Sequence, residues 1–250
     1  SWINGTGNRS AAFDFALYYN ALQPAINSGN YAALAGNPGL AGQFGYADKA
    51  VTFIDNHDTF VKPGSFVTSD NIMKGYAYIL THPGIPCVFF PHYYGGTYKK
   101  DEVTVVYTAN KTAIDQLMAI RKNNGINAYS SVAVSNTSGF YSATIDNKVV
   151  VKIGPGLWNP GTGWTLKASG TDYAIWEKAV VVDVPSLAIA PTGGSFVTGT
   201  TVNVTLTANN ATSTIFYTLN GSTPTTSSAS AVGTKSLAIT SSTTLKAFVR

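Results

Sequence analysis

Apolar and polar positions change their rhythm twice along the chain. In the first half, apolar residues come in short solid runs and at helical spacing. Ala50-Val51-Thr52-Phe53-Ile54 is nearly unbroken and rich in β-branched and aromatic residues, as in a strand buried on both faces. Residues 11–15 and 85–90 read as two further strands. The second carries Pro86, which suits the start of a strand and not its middle. Leu17, Tyr18, Ala21, Leu22 and Ile26 recur at helical spacing, with Gly29 as the stop and Pro24 predicting a kink or early end. Ile72, Met73, Tyr76, Ala77, Ile79 and Leu80 make a second helical face behind the N-cap candidates Thr68-Ser69-Asp70. Ala113, Ile114, Leu117, Met118 and Ile120 make a third, closed by Asn123-Asn124-Gly125. Strands alternating with helices predict βαβ units and a parallel sheet.

From Ala128 to Lys178 the period falls to two. Residues 139–145 and 148–153 read as strands joined by a hairpin turn at Asp146-Asn147, followed by strands at Trp164-Thr165-Leu166 and residues 173–177. Beyond Val182 the composition shifts, and 26 of the 68 residues from Asp183 to Arg250 are Ser or Thr. That composition suits an unstructured linker. The alternation in Val202-Asn203-Val204-Thr205-Leu206 and Ile215-Phe216-Tyr217-Thr218-Leu219 argues instead for short strands of a β-sandwich. Phe216 and Tyr217 are adjacent and must face opposite ways, and Phe248, in the closing strand, is expected in the core. The fold class is α/β plus all-β.

At 250 residues, two or three domains are expected. Charged residues are only 11% of the chain and the net charge of +4 is spread without a basic run, so nucleic acid is not supported as a partner. No stretch reaches the ~20 apolar residues of a membrane helix. The single cysteine, Cys87, can form no internal disulfide and reads as a small core residue.

The candidate chemistry lies in Asp55-Asn56-His57-Asp58, directly after the buried run. A polar cluster at the C-terminal end of a parallel strand is where barrel enzymes keep their reacting groups. The same residues also suit a solvated turn, and spacing alone leaves both open. His82 lies at a helix end before Pro83, and His92 follows the third strand, where it is a candidate for the edge of a cleft. No His, Cys or carboxylate spacing indicates a transition-metal site.

Phe53-Ile54-Asp55-Asn56-His57-Asp58 resembles the fourth sequence motif of the α-amylase family, glycoside hydrolase family 13, and the likeness continues through residues 75–87. Residues 147–154 and 173–178 resemble the small C-terminal domain of the plant-type members. Residues 215–225 and 243–247 resemble the immunoglobulin-like module at the C-terminus of chitobiases. The resemblance implies three parts: the last strands and helices of a (β/α)8 barrel over 1–127, an antiparallel β domain over 128–179, and an immunoglobulin-like sandwich over 183–250. It implies retaining hydrolysis of α-1,4-glucosidic bonds in starch or a related α-glucan. Asp58 then matches the catalytic carboxylate that stabilises the transition state, and His57 matches a sugar-binding histidine. The family's nucleophile and acid/base lie upstream of anything in this chain, whose only glutamates, Glu102 and Glu177, match no motif. The isolated chain is therefore expected to be inactive. Relatives often carry Asp where Pro91 stands, which puts any sugar contact of that loop in doubt. Calcium is expected with ligands outside this chain, and a secreted monomer, with a cell-surface attachment, completes the expectation. The rival expectation is a non-catalytic carbohydrate-binding or structural protein with a degenerate barrel remnant.

Overall fold

The computed structural model describes residues 2–179 and 184–250. They fall into two compact units, Ser1–Ala179 and Val180–Arg250, and the expected junction at residues 180–183 lies outside the described residues.

The first unit opens on three short parallel strands, β1 (Ala12–Phe13), β2 (Ala50–Thr52) and β3 (Ile85–Pro86), in the order β1-β2-β3. Ala12 lies opposite Ala50, and Val51 opposite Ile85. After Thr52 the β2 chain leaves the ladder while staying inside the core: Phe53 and Ile54 are fully buried. Residues 85–90 do not form one strand. After β3, Cys87 N–H donates to Thr52 O at 2.7 Å, and Phe90–Tyr94 turns into a helix. Pro91 explains the change, because its fixed φ suits the first helical turn and it lacks only a donor that the helix leaves unpaired there.

Residues 15–28 are helical, with a π turn at Tyr18–Leu22 where Gln23 N–H reaches back to Tyr18 O. The kink expected at Pro24 takes this form, the wider turn lying just before the residue that has no N–H to give. Gly29, at φ 70°, ends the helix in the left-handed region. The Ser69–Ile79 helix starts at Thr68, whose hydroxyl accepts from Asn71 N–H. It packs so closely on the β2 extension that a Cβ on Gly75 would stand 2.7 Å from Ile54 Cγ2. The Lys111–Asn124 helix is tied to it through Arg121, whose guanidinium donates to the carbonyls of Leu80, His82 and Gly84.

A hairpin that the sequence reading leaves unassigned, β4 (Gly96–Lys100) with β5 (Val103–Tyr107), stands between these helices in the chain. A five-stranded antiparallel sheet follows: β6 (Val132–Asn136), β7 (Tyr141–Ile145), β8 (Val149–Ile153), β9 (Trp164–Gly170) and β10 (Tyr173–Lys178), in the order β6-β7-β8-β10-β9. Its central β7–β8 turn is the expected one, with Asp146 and Asn147 both at positive φ as a two-residue type I′ hairpin requires. His82 joins this sheet to the helices. It is fully buried, stacked 3.8 Å from the Tyr78 ring, and placed with Nδ1 on Tyr78 O and Nε2 on Tyr141 Oη at 2.7 Å. The carbonyl must accept, so Nδ1 carries the proton and the Tyr141 hydroxyl donates to Nε2.

The second unit contains two three-stranded antiparallel sheets. One is β11 (Leu187–Ala190), β12 (Val202–Ala208) and β15 (Thr234–Ile239), ordered β11-β12-β15. The other is β13 (Thr214–Thr218), β14 (Ala229–Val232) and β16 (Lys246–Val249), ordered β14-β13-β16. Leu206, Ala208, Ile215 and Leu237 form the buried centre, with Tyr217, Ala247 and Val249 packed on it. Phe248 is not in that core. Alternation along β16 sends Ala247 and Val249 inward, and Phe248 stacks with Phe216 at 5.1 Å on the other face.

The Gly75–Ile54 contact carries a prediction. Gly75→Ala gains up to ~1 kcal/mol of helix propensity but forces a stiff, fully buried isoleucine to move. The expected outcome is a net loss of about 1–2 kcal/mol, read from the urea midpoint of the 250-residue chain. A midpoint at or above that of the unsubstituted protein would contradict this packing.

Candidate functional site

The segment after β2 divides into residues that build a turn and residues that the turn displays. Asp55 points into the core and is 2% exposed. Its Oδ1 accepts from the Tyr18 hydroxyl at 2.7 Å and the Thr59 hydroxyl at 2.9 Å, and its Oδ2 from Phe66 N–H at 2.8 Å. Asn56 Oδ1 accepts from the N–H groups of Asp58 and Thr59, and the Thr59 hydroxyl accepts from Asn56 N–H. This is the side-chain turn chemistry of Asn and Thr, and Asp55 and Asn56 brace the strand end. Asp55, Asn56 and Thr59 thus form the turn expected of this segment.

His57 and Asp58 face outward, with side chains 81% and 64% exposed. Asp58 Oδ2 lies 3.4 Å from His57 Nε2, and Asp58 Oδ1 accepts from Lys100 Nζ at 2.7 Å. The Lys100 ammonium, foremost, and the neighbouring His57 and Lys62 hold the Asp58 carboxyl below its ordinary range. Lys100 also donates to His57 O at 2.8 Å. Sequence reasoning missed this lysine. The hairpin that carries it is not among the expected elements, and nothing in the spacing shows that it reaches a turn more than forty residues away.

His92 is not at the edge of a cleft. It is fully buried, because the Phe90–Tyr94 helix turns it onto Tyr76, Phe89 and Tyr107. The Tyr76 hydroxyl takes the Phe89 N–H and sits 3.3 Å from His92 Nδ1. If that hydroxyl donates its one proton to Nδ1, the His92 proton is on Nε2, 3.7 Å from Asp55 Oδ2. That separation is too long for a hydrogen bond.

A second buried carboxylate, Asp14, closes the end of β1, accepting from the N–H groups of Leu17, Leu40 and Ala41. Beside it Phe13, Phe15 and Tyr19 are partly exposed, with Phe13 and Phe15 packed edge-on against Phe53. Among the described residues no three His, Cys, Asp or Glu side chains gather as a metal site would need. Among the same residues no helix is long and apolar enough to cross a membrane.

Comparisons with known proteins fall on both units. Residues 123–177 match the alpha-amylase C-terminal β-sheet domain, and residues 191–250 match the chitobiase/β-hexosaminidase C-terminal domain. The chain is similar to probable alpha-amylase 2 of Arabidopsis thaliana, 41% identical over 186 residues that cover 71% of this chain and 41% of the relative. It is similar to the chloroplastic alpha-amylase 3 of the same plant, 35% identical over 187 residues, 71% of this chain and 19% of the relative. Against the alpha-amylase type B isozyme of Hordeum vulgare it is 41% identical over 136 residues, 52% of this chain and 80% of the relative. The chain thus spans less than half the length of either Arabidopsis relative.

The buried Asp55–His92 pair sets a pH dependence. Burial raises Asp55 to about 6, partly offset by its three hydrogen bonds, and lowers His92 to about 3. A raised folded value means that Asp55's contribution to stability is fully present below its ordinary 3.8 and lost as pH rises through 6. A lowered folded value means that His92's contribution is present above its ordinary 6.5 and lost as pH falls toward 3. His82, also lowered to about 3 by burial, acts in the same direction as His92. Between pH 6 and 4, Asp55 therefore offsets part of what the histidines lose. Asp55→Asn removes the offset and should steepen the fall in unfolding free energy over that window by roughly 2 kcal/mol. Urea titrations at pH 6, 5 and 4 measure it, and parallel slopes for both proteins would rule it out.

Proposed function

The chain belongs to the α-amylase family, and we propose that it is the C-terminal part of an enzyme that hydrolyses α-1,4-glucosidic bonds in starch or a related α-glucan with retention of configuration. The observation that carries this reading is the outward display of His57 and Asp58 at the C-terminal end of a parallel strand, in a chain 41% identical to an alpha-amylase over 71% of its length. In this reading residues 1–127 are the last strands and helices of a (β/α)8 barrel, 128–179 its antiparallel β domain, and 183–250 an immunoglobulin-like appendage. The partly exposed Phe13, Phe15 and Tyr19 suit a sheet edge that further barrel strands continue.

A retaining glycosidase passes through an oxocarbenium-like transition state between a nucleophile and an acid/base carboxyl. Asp58 is proposed to be neither. Its role is electrostatic: a carboxylate kept ionised beside the anomeric carbon stabilises the positive charge that develops there. His57 is proposed to hydrogen-bond the same sugar. Glu102 is at a hairpin tip beside Lys99, and Glu177 is engaged by Asn124 and Lys167. Neither is proposed to react, so the nucleophile and acid/base belong to the rest of the enzyme. Calcium, a monomeric state and secretion are proposed with the family, and no step here depends on them.

Two measurements test this reading. The pure 250-residue chain should release no reducing sugar from soluble starch, and measurable release would overturn the assignment of the missing carboxyls. In the longer enzyme, Asp58→Asn should lower kcat by ~10²–10³, the size of one preorganised electrostatic contact. Turnover above about a tenth of normal, far outside that range, would remove Asp58 from the mechanism.

A further inference from the structure

Lys100 is the group on the Asp58 site that no motif accounts for. It arrives on the β4–β5 hairpin, whose two strands pair from Gly96–Tyr107 at the base to Lys100–Val103 beside the tip. An isolated two-stranded hairpin is marginal in water, and this one is anchored at its body. Val105 and Tyr107 are buried in the core of the first unit, Tyr98 packs against it, and the Tyr98 hydroxyl donates to Gly95 O. Gly95, at φ 70°, closes the base so tightly that a Cβ there would meet Ala109 N at 2.7 Å. The tip is held differently. Asp101 turns at φ 53°, and Lys99 and Glu102 pair across it in solvent. Lys100 alone reaches back, to Asp58 Oδ1 and His57 O.

An ion pair as exposed as this one contributes little to stability, so holding the fold does not explain the contact. Its composition suits a ligand. An ammonium has three donors, and two are used here; among the described residues the third has no acceptor. The Asp58 carboxylate keeps acceptor capacity beyond the single bond from Lys100. A carboxylate and an ammonium 2.7 Å apart can engage neighbouring hydroxyls of one sugar ring, the first accepting and the second donating. His57, the third polar group on the same ridge, lies within 3.4 Å of Asp58.

We propose that Lys100 is a substrate-positioning residue of the Asp58 site, its ammonium donating to a ring hydroxyl of the α-glucan next to the one that Asp58 accepts. This rests on the reading of Asp58 given above. The hydroxyl stays neutral throughout the reaction, so the contact forms in the ground state as well as the transition state and is felt mainly in KM. Removing the ammonium also removes the main group that keeps Asp58 ionised. The groups that remain to lower the Asp58 carboxyl are His57 and Lys62.

The test compares Lys100→Met, Lys100→Arg and the hairpin-tip control Glu102→Gln in the longer enzyme, with a maltooligosaccharide as substrate. Lys100→Met should raise KM about tenfold, the weight of one charge-assisted hydrogen bond, with kcat falling by a smaller factor. The acidic limb of its kcat/KM profile should move to higher pH. Lys100→Arg should recover part of KM and the acidic limb, and Glu102→Gln should match the unsubstituted enzyme. A Lys100→Met enzyme with unchanged KM and acidic limb overturns the proposal. Equal losses in all three variants also overturn it, because they would mark a purely structural hairpin. Asp58→Asn, run beside them, separates the two ideas. If it stays active the reading of Asp58 fails, and if it is inactive while Lys100→Met behaves normally, only the role of Lys100 fails.

Discussion

One buried carboxylate organises the working end of the first unit. Taking a charge out of water is costly unless hydrogen bonds replace the lost solvent. Asp55 satisfies that requirement with donors from three separate places: the π-turn helix through Tyr18, its own turn through Thr59, and the backbone at Phe66. Each bond fixes a different piece of chain to the end of β2. The turn then has little freedom left, and His57 and Asp58 are presented where it leaves them. Asp55 and Asp58 stand three residues apart with opposite environments, one raised by desolvation and the other lowered by an adjacent ammonium.

The three histidines follow the same logic. They are one residue type in three settings: His57 in solvent, His82 in a fully bonded core position, and His92 in an aromatic box with one nitrogen left without a hydrogen bond. The burial of His82 and His92 keeps both neutral well below the usual range. Of the three, only His57 is exposed.

Local chemistry made much of this legible in the sequence. Helical spacing found the 69–79 and 111–124 helices because their buried faces repeat at the helical period, and Asp146-Asn147 marked its hairpin because few residue pairs accept two positive φ values. The failures have a common source. Residues 85–90 look like a buried strand, but whether Pro91 starts a helix depends on what surrounds it. Phe248 is apolar enough for a core, and only the register of β16 against β13 shows that it stacks outside on Phe216. His57 and Asp58 are singled out only by the resemblance of residues 53–58 to a family motif. Lys100 is not, because its meaning comes from a partner 42 positions away.

Arg121 has a consequence of another kind. Its guanidinium binds three backbone carbonyls and no carboxylate. Burial lowers its pKa only to about 10, so it remains charged at any pH a living cell or its surroundings present. Peptide oxygens do not titrate either. The joint between the two long helices thus has no acidic partner to neutralise. Acid strong enough to charge the buried histidines, near pH 3, would leave this link intact. A partly acid-unfolded form would then keep its helices docked on each other while losing the sheet they cover, giving the first unit a definite order of disassembly.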